Sequence, residues 1–380
     1  MKLKKIIALA TVAVMSLSMV ACGNTSDKSA NMDKIVIGTM GPLTGSSAIY
    51  GITTANGIKL AVDKKQTVLD KPIELLSVDD KADQTESVNI YNRFVNNDGV
   101  VAVVGATTSA SSLSVAITSA KDGIPVLTPT GTVPEITLSG DNVFRAGYTD
   151  PFQGEIMADF AFNNLGLKKV AIIENIDSSY SGGLKTSFVE KFEELGGEVL
   201  TIEGYKAGDK DFRAQLTKIA SISPEVLFIP DYYTEAYLIA SQARDSGLKD
   251  TVLLGGDGWD GMHTIAEDPS ILENSYFCTH FSLDDTTEEV QEFVNSYKEK
   301  YGENPTSFAA LGYDGANIML NAIETAGSTD SKAIIEALKN TEYNGATGKI
   351  IFDENGDPIK EVSIIKIENG EYNLFDKIGN

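Results

Sequence analysis

The strongest constraint on the fold is a repeated alternation of short apolar runs with amphipathic segments, which begins at Lys34. Residues 34–38 form an apolar run typical of a buried strand, 73–78 are predicted to form a second strand, and apolar residues at helical spacing lie between them. Strands that alternate with helices favour a parallel sheet with helices on both faces. The chain is therefore predicted to be an α/β protein of the doubly wound class.

The alternation starts a second time near Asp150, which indicates two lobes. About 345 residues follow the first 33, and this is long for one domain on a prior of about 150 residues. Two long helical patterns follow Tyr276, and apolar runs at 348–352 and 362–367 suggest that the chain returns to each lobe. We predict two lobes joined by a three-stranded hinge, with a ligand cleft between them. The predicted ranges are 34–150 and 277–355 for lobe 1, and 151–276 and 356–380 for lobe 2.

The first 21 residues have the pattern of an export signal. Lysines at positions 2, 4 and 5 precede an apolar run at 6–20, and small residues then lead to Cys22. Cleavage before Cys22 would leave a lipidation site, followed by a flexible tether at 22–33. A plain secretory signal with an incidental cysteine is the alternative, and the apolar run is short of the ~20 residues of a membrane span. The sequence predicts an exported lipoprotein, on the outer face of the cytoplasmic membrane or in a periplasm.

Composition argues against several classes of partner and site. The net charge of −23 at pH 7 would repel nucleic acid and anionic lipid headgroups. If Cys22 is acylated, Cys278 is the single remaining thiol, so the fold is expected to depend on its core and not on disulfides. Two histidines and one thiol offer little material for a metal site, and no metal or cofactor is predicted.

The sequence contains no constellation that favours catalysis. Phosphate-binding, zinc-protease and nucleophile-elbow motifs are all missing from the printed sequence. Its two histidines, His263 and His280, lie in a predicted turn and a predicted crossing between the lobes. We therefore expect that the protein is not an enzyme, and an exported α/β-hydrolase-like enzyme is kept as an alternative.

Two loops at predicted strand ends are rich in hydroxyl side chains. Residues 105–112 and 128–132 both contain several Ser or Thr and both lead toward helix starts. Unpaired backbone N–H groups at a helix start, together with hydroxyls, form a good receptor for a carboxylate. The alternative is that these side chains only cap helices. Two such loops on neighbouring strands favour a binding site.

A third loop, at 255–261, contains glycines around Asp257 and Trp259 and matches the spacing GxGxxG. A dinucleotide site is disfavoured, because the motif is outside the first βαβ unit and Asp257 would repel a pyrophosphate. The loop is better suited to bring Asp257 close to a cation such as an ammonium group. Trp259 would lie beside the ligand, or alternatively pack between the lobes.

These loops resemble those of branched-chain amino acid binding proteins of ABC transporters, the Leu/Ile/Val type. The resemblance covers about residues 34–370 and depends on IVIGTMGPLTGSSAIYG, VAVVGATTSASSLSVA, IPVLTPTGTVPEIT, SSYSGG, PEVLFIPDYYTEA and LLGGDGWDG. It implies the periplasmic-binding-protein type I fold. It further implies that hydroxyls and backbone groups at Ser109, Thr130 and Thr132 bind an α-carboxylate and part of an α-ammonium.

The resemblance also assigns the other side of the site. Asp257 would bind the ammonium at a position where the family often has Glu. The aromatic wall positions are matched by Tyr50, Tyr180, Tyr232 and Phe308, and the first three also follow predicted strand ends or their loops. Trp259 has no counterpart in the family and would reshape the side-chain pocket.

The implied function is extracytoplasmic capture of an amino acid, branched-chain or aliphatic, by lobe closure and its delivery to an ABC permease. The protein is expected to act as a monomer, anchored to the membrane through Cys22. Two alternatives remain open. One is a sensory binding protein that reports to a receptor, and the other is a binding protein for an amide, urea or another small molecule that is not an amino acid.

Overall fold

The computed structural model describes residues 34–378. The predicted signal and tether, including the predicted lipidation site at Cys22, lie outside the described residues.

Strands and helices alternate through most of the described chain. The strands are β1 (Ile35–Gly41), β2 (Thr67–Val68), β3 (Lys71–Asp79), β4 (Ala102–Val104), β5 (Val126–Thr128), β6 (Val143–Arg145), β7 (Lys169–Asn175), β8 (Glu198–Tyr205), β9 (Val226–Phe228), β10 (Val252–Gly255), β11 (Ser275–Thr279), β12 (Glu342–Gly345), β13 (Gly348–Phe352), β14 (Pro358–Ile359), β15 (Val362–Glu368) and β16 (Glu371–Ile378). The α-helices are α1 (Ala48–Lys65), α2 (Gln84–Arg93), α3 (Ser109–Asp122), α4 (Asp150–Asp159), α5 (Ser179–Glu194), α6 (Arg213–Ser221), α7 (Tyr233–Asp245), α8 (Glu288–Tyr301), α9 (Ser307–Ala326) and α10 (Ser331–Lys339).

Two large sheets divide the described residues into two lobes. The sheet of lobe 1 has the order β2-β3-β1-β4-β5-β6 and is parallel except for the pair β2–β3. The sheet of lobe 2 has the order β16-β15-β11-β10-β9-β7-β8 and is parallel from β11 to β8. The buried central strands read as continuous apolar runs because helices cover both faces of a parallel sheet. The prediction of an α/β fold with two doubly wound lobes is confirmed.

The helices after β11 belong to lobe 1. Helix α9 packs along α1, and apolar residues of α10 join the core that covers the first sheet. Apolar residues of α8 form a smaller cluster with α1 and α9. A small antiparallel sheet, β12-β13-β14, follows α10 and contributes Ile350 and Phe352 to the same core. Strand β11 extends past the boundary expected at residue 276, and β14 lies beyond the one expected at 355.

Three connections between the lobes can be traced in the part of the chain that the structure describes. They follow β6, β11 and β14. Arg145, at the end of β6, is buried and its Nε donates to the carboxylate of Asp357 in the turn before β14. Buried Lys360 donates from Nζ to the carbonyl of Ala146 at 3.3 Å and to Thr347 Oγ1 at 2.8 Å. Lys360 thus ties the third connection to the first, and Arg145 ties the end of β6 to the turn before β14.

None of the helices in the described range 34–378 is both long and apolar enough to cross a membrane.

Candidate functional site

The loops that the sequence singled out meet at the carboxyl ends of the strands of both lobes. In lobe 1 they follow β1, β4 and β5, and in lobe 2 they follow β7, β9 and β10. A small cavity of about 10 Å³ lies between these loops, which is room for about one water molecule. Ligand pockets usually measure about 300 to 1,000 Å³, so the two lobes lie close together here and must separate to admit a ligand. Its lining residues are Tyr50, Thr107, Thr108, Ser109, Thr130, Thr132, Tyr180, Tyr232, Asp257, Gly258 and Phe308.

The wall from lobe 1 consists of hydroxyls around the start of α3. Ser109 Oγ lies 3.1 Å from Thr132 Oγ1 and accepts from the backbone N of Thr132 at 3.2 Å. Thr130 Oγ1 donates to the carbonyl of Thr107 at 2.6 Å. Helix α3 begins at Ser109, and its N-cap residue Thr108 makes no side-chain hydrogen bond to the helix. This wall therefore presents hydroxyls that partner one another beside a helix N-terminus, where an anion is favoured.

The wall from lobe 2 contains the buried carboxylate of Asp257. A short 3₁₀ turn at Asp257–Trp259 follows β10 and leaves Asp257 only 2% exposed. Tyr180 OH donates to Asp257 Oδ1 at 2.9 Å and accepts from the backbone N of Gly258 at 2.9 Å. Burial raises the pKa of Tyr180 well above its ordinary value, so its hydroxyl keeps the proton that it donates.

His280 holds the second oxygen of the same carboxylate. Its Nε2 lies 3.2 Å from Asp257 Oδ2, and its ring is stacked on Tyr148 with centroids 3.7 Å apart. Burial lowers the pKa of His280 to about 4, so the imidazole is neutral at pH 7. A neutral ring with its proton on Nε2 donates to the carboxylate, whereas the other tautomer would face it with a lone pair. Asp257 thus has one hydrogen-bond donor for each oxygen.

Further polar groups are buried behind Asp257. Gln153, in α4, accepts from the backbone N of Asp257 through Oε1 at 3.0 Å, and the same oxygen lies 3.4 Å from Cys278 Sγ. Burial raises the pKa of Asp150 well above its ordinary value, because a charged carboxylate is poorly solvated there. The Asp257 carboxylate lies in a region from which water is excluded, where an opposite charge is attracted strongly.

Aromatic rings close the sides of the cavity. Tyr50 and Phe308, both from lobe 1, stack with centroids 4.2 Å apart, and Tyr180 and Tyr232 from lobe 2 stack at 5.0 Å. Tyr50 reaches across the cleft: its hydroxyl donates to the carbonyl of Gly258 and accepts from the backbone N of Tyr233. The rings supply an apolar surface between the neutral hydroxyls and the carboxylate.

Eight of the nine predicted ligand contacts lie around this one cavity: Tyr50, Ser109, Thr130, Thr132, Tyr180, Tyr232, Asp257 and Phe308. Trp259 does not line it. Its fully buried ring packs in the core of lobe 2 near Phe277, and Nε1 donates to the carbonyl of Ile229 at 3.0 Å. The structure therefore gives Trp259 the packing role that was the alternative, although within one lobe and not between the two.

Sequence reasoning did not select several residues at the site. Thr107, Thr108 and Gly258 line the cavity beside selected residues, and membership of the same loops was their one available signal. His280 was placed in a crossing between the lobes and given no role. The one available signal for His280 was its position as a polar residue in the segment that connects the two lobes. Nothing in the sequence links His280 to Asp257.

Known proteins are similar to this chain along most of its length. A family model described as periplasmic binding protein matches residues 34–371. The Leu/Ile/Val-binding protein BraC3 of Rhizobium johnstonii is 32% identical over 349 residues, which cover 89% of this chain and 92% of that protein.

Two solved structures are similar over most of the chain. The leucine binding protein LivK of Thermotoga maritima has a TM-score of 0.87 at 38% identity, and the match covers 91% of this chain and 99% of LivK. The branched-chain amino acid transporter substrate binding protein LivJ of Streptococcus pneumoniae, in complex with isoleucine, has a TM-score of 0.86 at 31% identity. That match covers 91% of this chain and 100% of LivJ. The similarity therefore extends to the whole two-lobed body.

Proposed function

Because the chain belongs to the periplasmic binding protein family, we propose that it captures a branched-chain or other aliphatic amino acid outside the cytoplasmic membrane for an ABC permease. Its relatives are branched-chain amino acid binding proteins of such transporters. The observation that carries the proposal is the buried Asp257 carboxylate, which faces the hydroxyls at the start of α3 across a small cavity with aromatic sides.

The two walls complement the two charges of an amino acid. An α-carboxylate at the start of α3 receives hydrogen bonds from Ser109 and Thr132 and from free N–H groups of the helix. An α-ammonium near Asp257 has an opposite charge at hydrogen-bonding distance. The aromatic rings leave an apolar surface for an aliphatic side chain, which gains about 25 cal/mol for each Å² removed from water. A ligand that lacks either charge leaves one wall without its partner.

Binding is coupled to the lobes because each supplies one wall. A ligand held by the hydroxyls of lobe 1 meets Asp257 and Tyr180 after the lobes approach each other. Contacts that form only in the closed arrangement shift the population toward it. Closure about the three connections would then present the permease with a surface that differs between loaded and unloaded protein. The relatives are solute-binding proteins, and the proposal contains no chemical step.

The first experiment measures binding by thermal shift and by calorimetry with a matched set of ligands. Leucine is compared with 4-methylpentanoate, which lacks the ammonium, and with 3-methylbutylamine, which lacks the carboxylate. We expect leucine to raise the melting temperature by mass action and both analogues to raise it far less. The set also contains isoleucine, valine, phenylalanine, acetamide and urea. A shift with an amide or urea alone would contradict the proposal and support a binding protein for another small molecule.

The proposal includes export and a lipid anchor at Cys22. Export is implied by the family, and the anchor is supported by the order of basic, apolar and small residues before the cysteine. We expect the wild-type protein to incorporate an alkyne-labelled fatty acid and to sediment with membranes. The Cys22→Ser variant should do neither, and Cys278→Ser is the matched control, which should still do both. Gel filtration of the Cys22→Ser variant tests the expectation that the protein is a monomer.

A further inference from the structure

The turn that carries Asp257 also carries a second buried carboxylate, Asp260, which does not line the cavity. Asp260 is 6% exposed, and its backbone N donates to the carbonyl of Asp257 at 3.0 Å, which closes the 3₁₀ turn. Its Oδ2 accepts from the backbone N of Ser307 at 2.6 Å. Ser307 begins α9, which belongs to lobe 1, so this hydrogen bond joins the two lobes.

The group that donates to Asp260 belongs to a helix N-terminus. The first N–H groups of a helix have no partner within the helix, and the N-terminal end of its dipole attracts negative charge. Thr306 Oγ1 caps the N of Ala309 at 3.3 Å, which leaves the N of Ser307 for Asp260. The residue after Ser307 is Phe308, which lines the cavity and stacks on Tyr50. The contact therefore lies one residue from a wall of the site.

The turn itself is fixed to lobe 2. Trp259, between the two carboxylates, is buried in the core of that lobe, and its carbonyl accepts from Tyr372 OH at 3.0 Å. Gly261, the next residue after Asp260, has φ +97°, which favours glycine and turns the chain away. Asp257 and Asp260 thus lie on the same anchored turn of lobe 2. A movement that brings Asp260 to α9 of lobe 1 therefore also brings Asp257 to the ligand.

We propose that Asp260 is an affinity-determining residue that holds the closed cleft by capping α9 from the opposite lobe. It acts through the position of the lobes and has no contact with the ligand. The ligand joins the lobes through Asp257, and Asp260 adds a second link that forms in the same movement. This inference deepens the proposed function and rests on it, since it requires that ligand binding and closure are coupled.

The test measures leucine binding to the variants Asp260→Ala and Asp260→Asn. Calorimetry gives Kd, and stopped-flow fluorescence gives the dissociation rate. We expect Asp260→Ala to raise Kd about tenfold, the size of a lost N-cap with its charge. The change should lie in the dissociation rate, because the link forms after the ligand meets lobe 1. Asp260→Asn keeps an acceptor oxygen but loses the charge and should recover part of the loss.

Matched controls distinguish a residue that stabilises the closed cleft from one that only stabilises the fold. Thr234 Oγ1 donates to the carbonyl of Ser46 at 2.8 Å in an exposed contact between the lobes, and Thr234→Val should change Kd less than about twofold. The melting temperature of ligand-free Asp260→Ala should equal that of the wild type, because the contact belongs to the closed form. Small-angle scattering with saturating leucine should show a larger radius of gyration for Asp260→Ala than for the wild type.

Two results would contradict the proposed role of Asp260. One is an unchanged Kd for Asp260→Ala, and the other is an equal loss of stability with and without leucine. Failure of the proposed function gives a different result, since the wild-type protein would then not respond to leucine at all. The same variants would in that case be measured with the compound of the ligand set that raises the wild-type melting temperature.

Discussion

The two walls of the cleft are built from different chemistry. The lobe 1 wall is neutral: among its described lining residues, Ser109, Thr130 and Thr132 hydrogen-bond to one another or to backbone groups near the start of α3. The lobe 2 wall contains a buried carboxylate, Asp257, whose two oxygens are held by Tyr180 and His280. One wall distributes its interactions over many weak groups and the other concentrates them in one charge.

The difference indicates how each wall would respond to change. A network of hydroxyls loses one neutral donor or acceptor at a time, and each is typically worth about 1 kcal/mol. A buried charge that pairs with a ligand charge is worth more, because removing it leaves the other charge unpaired in a dry site. We therefore expect specificity for the ammonium to depend on one residue and binding of the carboxylate to depend on several.

The largest expected effect is the loss of the lobe 2 charge. Asp257→Asn keeps the shape of the side chain but leaves the ligand ammonium unpaired, and we expect Kd for leucine to rise by at least about 100-fold, or about 3 kcal/mol. Calorimetry with wild type and variant measures this. Asp257→Glu is the control that restores the charge, and it should bind more tightly than Asp257→Asn. Equal affinities of the two variants for leucine would show that the negative charge at position 257 does not contribute to binding.

The next effect concerns the buried histidine behind the charge. The pKa of His280 is about 4 in the folded protein and 6.5 for an unperturbed imidazole, so the unfolded chain binds more protons between these values. The stability due to neutral His280 is therefore complete above about pH 6.5 and is lost as pH falls toward 4, by about 3 kcal/mol. Urea unfolding of wild type and His280→Gln at several pH values tests this. The wild type should lose more stability on acidification, and parallel pH profiles would contradict the assignment.

A smaller effect is expected in the lobe 1 wall. Ser109→Ala removes one hydroxyl that faces the cavity and should raise Kd for leucine about tenfold. Ser111 is also buried in α3, but it does not line the cavity and its hydroxyl has no hydrogen-bond partner among the described residues. Ser111→Ala is therefore the matched control and should leave Kd unchanged. Similar losses in both variants would mean that the packing of α3, and not the hydroxyl, is measured.

The smallest effect on affinity is expected for a residue outside both walls. Trp259→Phe removes the hydrogen bond to the carbonyl of Ile229 and part of a buried ring, so stability should fall by about 1–3 kcal/mol. Kd for leucine should change less than about twofold. Thermal unfolding and calorimetry on the same samples separate the two quantities. A large loss of affinity at unchanged stability would return Trp259 to the ligand site.

The sequence predicted the elements that buried apolar runs indicate and missed those without such a run. Strands β1 and β7 were predictable because most of their residues are buried and read as apolar runs, as expected where helices cover both faces of a sheet. Strand β6 was missed: it has three residues, and one of them is Arg145, whose burial depends on distant carbonyls and on Asp357. Strand β16 was missed because much of it is only half-buried and its apolar pattern is weak.

The same limit applies to the site. Loops at strand ends could be predicted, because the carboxyl ends of parallel strands meet at one edge of a sheet. The direction of each side chain could not: Asp257 and Trp259 are two residues apart in a 3₁₀ turn and lie on opposite sides of it. Trp259 packs against Gly255, where a Cβ would lie 2.1 Å from its ring. His280 could not be connected to Asp257 because 23 residues separate them and only the parallel pairing of β10 with β11 brings them together.

Buried Arg145 has a mechanical consequence. Its guanidinium donates to the carbonyls of Gly131 and Val133 at 3.1 and 3.0 Å, on either side of Thr132, and its Nε donates to Asp357 in the turn before β14. The loop that presents Thr132 and the turn that leads through β14 into the third connection are therefore held together by one side chain. We expect a rotation about the third connection to shift the position of Thr132, and with it the groups that bind the ligand.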